Sequence, residues 1–221
     1  MKKIVYYMIR IAAVAAILYG AWLMILLSLP YGTFDRYTDF LLTKQLVYHI
    51  KSWRFSFYIH VFVSTIVLLA GLLQFSRFLL YRKPQVHRWT GKTYAAVVLF
   101  LSGPSGMVMS FYANGRWPAR TSFIILSFLW LLFTALGWQL AMKRRWSAHS
   151  HMMLRSYALT LSAITLRFYA YLLGYFNIAL HPVTAYVLIS WLSWTLNLLL
   201  AEWMIRSGAL DRWMGKPSTI S

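Results

Sequence analysis

The chain has no cysteine, and only four of its 221 residues are acidic. Without a thiol, disulfides, thiolate metal sites, iron–sulfur clusters and cysteine nucleophiles are all excluded. The sequence also contains no phosphate-binding loop, dinucleotide fingerprint or nucleophile motif. Any chemistry therefore depends on the histidines, the arginines and very few carboxylates.

Charge is scarce and almost all of one sign. Charged residues make up 12% of the chain and hydrophobic residues 60%, a composition outside the range of soluble domains. The net charge of +18 is carried by short basic groups beside apolar runs, such as residues 143–145. This placement favours contact with anionic lipid head groups. It argues against nucleic acid as a partner, because no basic face or nucleic-acid motif accompanies the charge.

Six apolar runs have the length that a bilayer requires, so we predict an all-α membrane protein with six transmembrane helices. The runs cover residues 9–29, 56–80, 91–112, 121–142, 152–176 and 183–205. Residues 1–221 then form a single transmembrane domain. We interpret the first run as a retained helix, because it is too long for the apolar part of a signal peptide and no cleavage site follows it.

The basic residues predict the orientation of the helices. Fifteen of the 22 Lys and Arg residues lie at the N-terminus, in the loops after the second and fourth runs, and in the C-terminal tail, whereas six lie on the other side. Because basic loops stay in the cytoplasm, both termini are predicted to be cytoplasmic, with residues 206–221 as a tail. Residues 30–55 form an outer segment, in which an interfacial helix is predicted.

Stripes of small or polar residues distinguish packed helix faces from lipid-facing ones. In the second run the residues at helical spacing are His60, Ser64, Val67, Gly71 and Gln74. The third and fifth runs have comparable stripes, whereas the first and fourth are almost purely apolar. We therefore predict a core formed by helices 2, 3, 5 and 6.

Polar residues near the predicted cytoplasmic ends of four helices form an inner cluster. Its members, which we take as candidate ligand-binding or working residues, are His87, Arg88, His149, Arg155, Gln74, Asn197 and Glu202. Glu202 is the only acidic residue in any run, and a carboxylate among imidazoles and guanidiniums suits proton handling. Simpler interpretations compete. Glu202 precedes Arg206 by one helical turn, which allows a surface pair, and histidines in basic loops are commonly solvated.

His60 and Arg167 form an outer cluster, about 6 Å and 14 Å below the outer edge at 1.5 Å per residue. An arginine at that depth is costly unless it faces the bundle interior, a cavity or a counter-charge. Asp35 and Asp39 lie in the outer segment and do not reach its level. Arg167 is therefore expected to bind carbonyls, hydroxyls, water or an anionic ligand. For His60, a hydrogen-bonded core histidine is the competing interpretation.

The leading hypothesis is a redox-linked protein that binds haem b or a quinone near the cytoplasmic side. Haem b needs two imidazoles from facing helices at one depth, and His87 and His149 satisfy that condition. Arg88 and Arg155 would anchor the propionates, and haem iron would be the only metal. A quinone would use the same histidines with an arginine or Gln74, and a membrane redox partner would be expected.

Two other classes of function stay open. A proton-coupled transporter or lipid-handling protein would use Glu202, Arg167 and His60 as its working residues. A non-catalytic subunit or assembly factor of a membrane complex would use its polar residues only to hold helices together. Whether the protein is an enzyme, and its oligomeric state, are open as well.

Several candidate residues fall in short motifs that follow one another along the chain. The motifs are His60 with GLLQF at 71–75, HRWTGKTY at 87–94, His149 with MLRSYALT at 153–160, TLR at 165–167, and the segment 197–202. With these motifs the chain resembles, over about residues 50–205, a bacterial family of integral membrane proteins known as domain of unknown function 2306. The resemblance implies a multi-pass helical bundle in the bacterial inner membrane, with no established activity.

The predicted architecture is also similar, more loosely, to b561-type haem membrane proteins. That resemblance implies two histidines one above the other on a single helix. Here the residue at the corresponding distance from His60 is Gln74. The likeness therefore implies at most one histidine pair.

Overall fold

The computed structural model describes residues 2–215, which form an all-helical fold. Short 3₁₀ turns cover Leu29–Thr33 and Asp39–Lys44, and a π-helical turn covers Val98–Ser102. The α-helices of this part of the chain are α1 (Lys2–Ser28), α2 (Lys51–Gln74), α3 (Arg77–Arg82), α4 (Pro84–Val97), α5 (Gly103–Ser110), α6 (Arg116–Met142), α7 (Trp146–Thr160), α8 (Ser162–Tyr175), α9 (Pro182–Arg206) and α10 (Ala209–Met214).

Within the described residues, five helical segments are long and apolar enough to cross a membrane. They are Ile4–Thr33, Lys51–Gln74, Pro84–Ser110, Arg116–Met142 and Pro182–Arg206. They correspond to the first, second, third, fourth and sixth predicted runs. The predicted bounds of two of them were wrong. The second ends at Gln74, because the Ser76 hydroxyl caps the separate helix α3, and the third begins at Pro84.

The predicted fifth span is interrupted. α7 ends at Thr160 and α8 begins at Ser162, with a turn between them. Asn197 of α9 bridges the break, because its side-chain amide donates to the Ala158 carbonyl at 3.2 Å and to the Thr165 hydroxyl at 3.1 Å. The two helices together have the length of a span. Six continuous transmembrane helices are therefore not confirmed.

The third span contains an irregular turn near its middle. Pro104 has no N–H to donate, which frees a carbonyl of the preceding turn. Gly103 donates to the carbonyl of Val98, five residues earlier, as in a π-helix. A Cβ on Gly103 would lie 2.4 Å from the Leu131 side chain, so α5 approaches α6 closely here. Such π-helical turns occur frequently at functional sites.

The core includes one helix more than predicted. The main buried cluster contains Val67, Ala70, Tyr94, Val98, Trp130, Tyr157, Leu159 and Trp194. Helices α2, α4, α7 and α9 contribute to it as expected, but Trp130 belongs to α6, the fourth predicted span. α6 packs extensively against α7, so leaving it out of the core was wrong. The reason is that its few small polar residues, such as Thr134 and Gly137, are hidden in an otherwise apolar run.

The interruptions in the third and fifth spans give the bundle two different halves. We call the half that holds α3, α10 and the α6–α7 turn the inner half, following the predicted orientation, and the other the outer half. In the inner half α7 packs against α6 and α9, whereas in the outer half α8 packs mainly against α9 and α1. The helices that continue into the outer half pack pairwise in the order α1, α2, α5, α6, α9 and α8, and α8 meets α1 near the break, at Gly20 and Ile164. We call this arrangement the ring.

Residues 31–50, which we call the cap, lie over the outer ends of α2 and α5. The predicted interfacial helix was wrong for this segment, because its helical parts are only 3₁₀ turns, the end of Leu29–Thr33 and Asp39–Lys44. Leu41 in that turn is fully buried against Trp53 and Phe57 of α2. The cap therefore packs on the bundle and is not a separate interfacial segment.

The predicted tail, 206–221, is partly folded. α10 returns to the inner end of the bundle, where the Arg77 Nε donates to the Trp213 carbonyl at 2.6 Å and the Trp213 indole donates to the Phe75 carbonyl at 3.3 Å. Arg10 of α1 lies over the Trp213 ring, 4.9 Å from its centroid. Residues 216–221 lie outside the described part of the chain.

Candidate functional site

Arg155 and Glu202 form a two-bond ion pair in the inner half. The Arg155 Nε lies 2.5 Å from Glu202 Oε1, and Nη2 lies 3.0 Å from Oε2. It is the only ion pair within the described residues, and its side chains are 18% and 30% exposed. The expected surface pair of Glu202 with Arg206 is absent there, although Arg206 is near enough to act electrostatically. This fork geometry fits an ionised carboxylate.

His87 and His149 lie near one another in the inner half, within electrostatic range. The His149 Nδ1–H donates to the Gly137 carbonyl at 2.8 Å, since a carbonyl can only accept. That bond leaves the His149 Nε2 as a free acceptor. The Nδ1 of His87 is buried without a hydrogen-bond partner among the described residues. Buried polar atoms normally have partners, so this nitrogen is a candidate ligand contact.

Gln74 and Arg88, both predicted to contact a cofactor, bond to the protein itself. The Gln74 Nε2 donates to the Thr90 hydroxyl at 2.6 Å and to the His87 carbonyl at 3.2 Å. Its Oε1 packs against Gly91, where a Cβ would lie only 2.8 Å away. Gln74 thus joins α2 to α4. Arg88 is exposed, and its Nε donates to the Pro84 carbonyl at 3.4 Å.

A hydroxyl cluster fills the middle of the bundle between the two halves. The Tyr94 hydroxyl lies 2.7 Å from the Ser156 hydroxyl and 2.8 Å from that of Thr160. The Trp130 indole donates to Thr160 at 3.0 Å, and Thr134 lies 2.7 Å from Ser156. Each polar group is thereby satisfied without water, as a hydrocarbon environment requires.

Arg167 lies about 12 Å from the outer end of α8, eight residues before its last residue. Its side chain is exposed, yet Tyr31, His60 and Tyr186 from three other parts of the ring lie within electrostatic range of it. A side chain with those neighbours points into the ring. We call the space between Arg167, Tyr31, His60 and Tyr186 the outer chamber.

The guanidinium of Arg167 is electrostatically uncompensated. Its Nη1 donates to the Ala163 carbonyl, one turn earlier, at 2.9 Å. Within the described residues no acidic side chain forms an ion pair with it. His60 lines the same chamber, and its Nδ1–H donates to the Ser102 carbonyl at 3.0 Å. The His60 Nε2 is left as a free acceptor beside a cation.

The described residues contain no group of three or more His, Asp or Glu side chains that could hold a metal ion. The family described as "Predicted membrane protein (DUF2306)" matches residues 57–205, which is more than half of the chain. The chain belongs to the DUF2306 family. No curated protein and no solved structure matches it. The resemblance inferred from the motifs is thereby confirmed, as is membership of an integral membrane protein family.

The matched DUF2306 segment contains both candidate clusters but excludes α1 and the cap. The structure divides the predicted working residues, because Glu202 lies in the inner half and Arg167 and His60 in the outer half. Asn197 lies at the break between α7 and α8, where it supports the backbone. Arg155 and Glu202 neutralise one another, whereas Arg167 in the chamber of this DUF2306 protein has no acidic ion-pair partner within the described residues.

Sequence reasoning missed several residues of these sites. Tyr94 is the last residue of the motif at 87–94, and Ser156 and Thr160 lie in the motif at 153–160. The sequence therefore offered a reason to expect these three residues near one another. Trp130 and Thr134 had none, because they lie in the run taken as lipid-facing.

Lys44 of the cap was also missed. It is 4% exposed, and its Nζ donates to the Tyr112 carbonyl at 2.5 Å and to Asn114 Oδ1 at 2.6 Å. Burial, and secondarily the charge of Arg120, lowers the pKa of Lys44 to about 8.

Replacing Glu202 tests the ion pair. Glu202→Gln leaves the Arg155 guanidinium without its counter-charge, and we expect a loss of about 1–3 kcal/mol in stability. The melting midpoint of the purified protein in detergent measures this. Arg206→Gln is the control and should have little effect, because Arg206 makes no ion pair in the described residues. Equal losses in the two variants would contradict the assigned pairing.

The lowered pKa of Lys44 predicts a pH dependence. Between pH 8 and 10.5 the unfolded chain binds more protons at this residue than the folded chain, so its contribution to stability rises with pH across that window. The total rise is about 3 kcal/mol at most. Native protein should therefore gain stability relative to Lys44→Met between these pH values. Lys51→Met, at an exposed lysine, is the control, and parallel curves for native protein and Lys44→Met would rule the effect out.

Proposed function

We propose that this DUF2306 protein binds an anionic ligand in the outer chamber and transports or otherwise handles that ligand within the membrane. The observation that carries the proposal is the uncompensated guanidinium of Arg167. A cation at membrane depth without a counter-charge is costly, and arginines inside membranes usually face a bundle interior, a cavity or a ligand. A carboxylate, phosphate or sulfonate group would supply the missing negative charge.

The surroundings of Arg167 support an anionic ligand over a purely structural role. One hydrogen bond to its own helix satisfies only one of the five guanidinium N–H groups. A structural arginine would be expected to tie several helices together, as Arg155 does by pairing with Glu202 across α7 and α9. The hydroxyls of Tyr31 and Tyr186 add polar groups around the same space.

His60 links the proposal to proton movement. It is the titratable imidazole of the chamber, and its Nε2 is free to take a proton once Nδ1 is engaged by Ser102. An anion between the Arg167 and His60 side chains would bind together with a proton more readily than alone, because charge is then neutralised. Proton-coupled uptake of an anion is the form of transport that these residues suit.

The two interrupted spans support movement. Discontinuous helices near the middle of the membrane are a common feature of transporter binding sites. Here the π-helical turn Val98–Ser102 and the break before Ser162 lie at the base of the outer chamber. Both are positions at which the outer parts of the spans can tilt while the hydroxyl cluster below them stays packed.

The proposal includes an orientation. The distribution of basic residues supports a bacterial inner-membrane location with both termini in the cytoplasm and with anionic lipids around the inner half. The chamber would then open toward the outside of the cell.

Substitution of Arg167 tests the anion site. Purified protein in detergent should be stabilised against heat by inorganic phosphate or succinate, with a shift of several degrees at saturation. In Arg167→Gln, the anion concentration that gives half of the maximal shift should rise at least tenfold, because a charge-assisted hydrogen bond contributes about 1.5–3 kcal/mol. Arg167→Lys, which keeps the charge, should retain part of it.

The matched control is Arg116→Gln, at an exposed arginine at the start of α6. It removes one positive charge at the outer end and should leave anion stabilisation unchanged. Equal losses in Arg116→Gln and Arg167→Gln would show that the anions respond only to the total positive charge. That result would contradict an anion site in the chamber. Native protein that neither anion stabilises, but that co-purifies with a larger complex, would instead favour a non-catalytic subunit.

Redox function is the second candidate, and the unpartnered Nδ1 of His87 is the observation that favours it. Together with the free Nε2 of His149 it offers two imidazole nitrogens at one depth. Their surroundings suit a quinone better than haem b. Arg155 is engaged by Glu202, and Arg88 is exposed and bonded to its own helix, so neither is free to hold a propionate.

Spectroscopy and extraction test the redox candidate. We expect solvent extracts of the purified protein to contain quinone. The His87→Ala variant should lose most of it, because the quinone carbonyl no longer has the His87 ring as a hydrogen-bond partner. His49→Ala, at an exposed histidine of the cap, is the control and should retain the quinone. A Soret band lost in both His87→Ala and His149→Ala would establish haem b instead. Protein with neither quinone nor a Soret band would remove the redox candidate.

A further inference from the structure

The ring of helices limits the routes by which a ligand can reach the outer chamber. α1, α2, α5, α6, α9 and α8 each pack against the next, and α8 closes the ring against α1. The contact between α1 and α8 is tight, because a Cβ on Gly20 would lie 2.8 Å from the Ile164 side chain. Ala21 and Met24 of α1 pack in the same region against Leu68 of α2. At the level of the break between α7 and α8, a ligand arriving from the lipid would have to separate packed helices.

The cap borders the outer chamber, because its Tyr31 lies within electrostatic range of Arg167, and the cap is held at two places. On the α2 side, Leu41 is buried against Trp53 and Phe57. At the loop between α5 and α6 the contacts are polar. Lys44 donates to Asn114 Oδ1, and the Asn114 amide donates to the Thr43 hydroxyl at 3.2 Å. We call these contacts between residues 43, 44 and 114 the latch.

The cap also contacts the surroundings of the ligand site directly. Tyr31 is part of the cap, is 8% exposed, and lies within electrostatic range of Arg167. Its hydroxyl accepts a hydrogen bond from the Phe40 N–H at 3.3 Å, so its position follows that of the cap. Asp39 of the cap lies within electrostatic range of Tyr31 as well. Movement of the cap would therefore open the chamber and change what surrounds the guanidinium.

We infer that the cap is a removable cover of the outer chamber, and that the ligand is a water-soluble anion admitted from the outer aqueous side rather than a lipid head group. This inference rests on the proposed function, because it takes the Arg167 chamber as the ligand site. The latch is the side that opens. Its hydrogen bonds can be exchanged for bonds to water with little net loss, whereas exposing Leu41 and two aromatic rings is unfavourable.

The absence of native cysteine allows a direct test of access. Arg167→Cys introduces a single thiol in the chamber, and a membrane-impermeant methanethiosulfonate reagent added from outside reports how fast the thiol is reached. Adding Asn114→Ala removes the latch contacts without changing the charge, and we expect labelling to accelerate at least fivefold. Ser52→Ala, a neutral change at an exposed position of the outer end, should not change the rate. Equal rates in all three proteins would overturn the inference.

Locking the cap separates the two sources of anion. The double variant Thr43→Cys, Asn114→Cys places thiols at two positions whose side chains are in contact. After oxidation, stabilisation by phosphate or succinate should be lost, and a reductant should restore it. Phosphatidylglycerol in lipid nanodiscs should compete with neither anion in either state. Undiminished anion binding in the oxidised protein, or competition by phosphatidylglycerol, would overturn the inference.

The two proposals fail in different ways. If Asn114→Ala accelerates labelling but neither anion stabilises native protein, the cap is a cover and the proposed ligand is wrong. If the anions stabilise native protein and the locked form equally, the chamber binds anions and the cap does not control access.

Discussion

Polar groups inside a membrane protein must find partners within the protein, and this requirement shapes the middle of the bundle. Where α7 is interrupted, the Ala158 carbonyl loses its helical partner and accepts from Asn197 instead. One turn away, Tyr94, Trp130 and Thr160 satisfy one another at distances of 2.8–3.0 Å. Without these bonds the break would expose backbone groups to hydrocarbon at a cost of several kcal/mol. Asn197 therefore makes an interrupted span tolerable, and the hydroxyl cluster satisfies the polar side chains beside it.

The interruption in turn creates the space above it. Because α8 leaves the centre of the bundle and packs on α9 and α1, the outer half becomes a ring around a chamber, whereas the inner half is filled by α7. The same change of direction brings Arg167 to the inner side of the ring. The break in the backbone, the hydrogen bonds around it and the position of Arg167 are thus linked.

Composition and the lengths of the apolar runs predicted an all-α membrane fold correctly, because long apolar runs have few alternatives to membrane helices. They could not predict the interruption at residue 161, since no proline or glycine marks it. Arg167 could be singled out from its depth alone, and its inward position agrees with that expectation. The partner of Glu202 could not be predicted, because Arg206 is nearer in sequence and Arg155 is nearer in space. Trp130 and Thr134 could not be predicted as core residues either, because one tryptophan and one threonine do not make an apolar run amphipathic.

The family segment begins at residue 57, so it includes Arg167, His60 and Asn114 but neither α1 nor the cap. The residues proposed to bind the anion and those of the cap therefore lie on different sides of this boundary. If the cap controls access as we infer, replacing residues 31–50 would change which anions reach Arg167 without changing the residues that bind them.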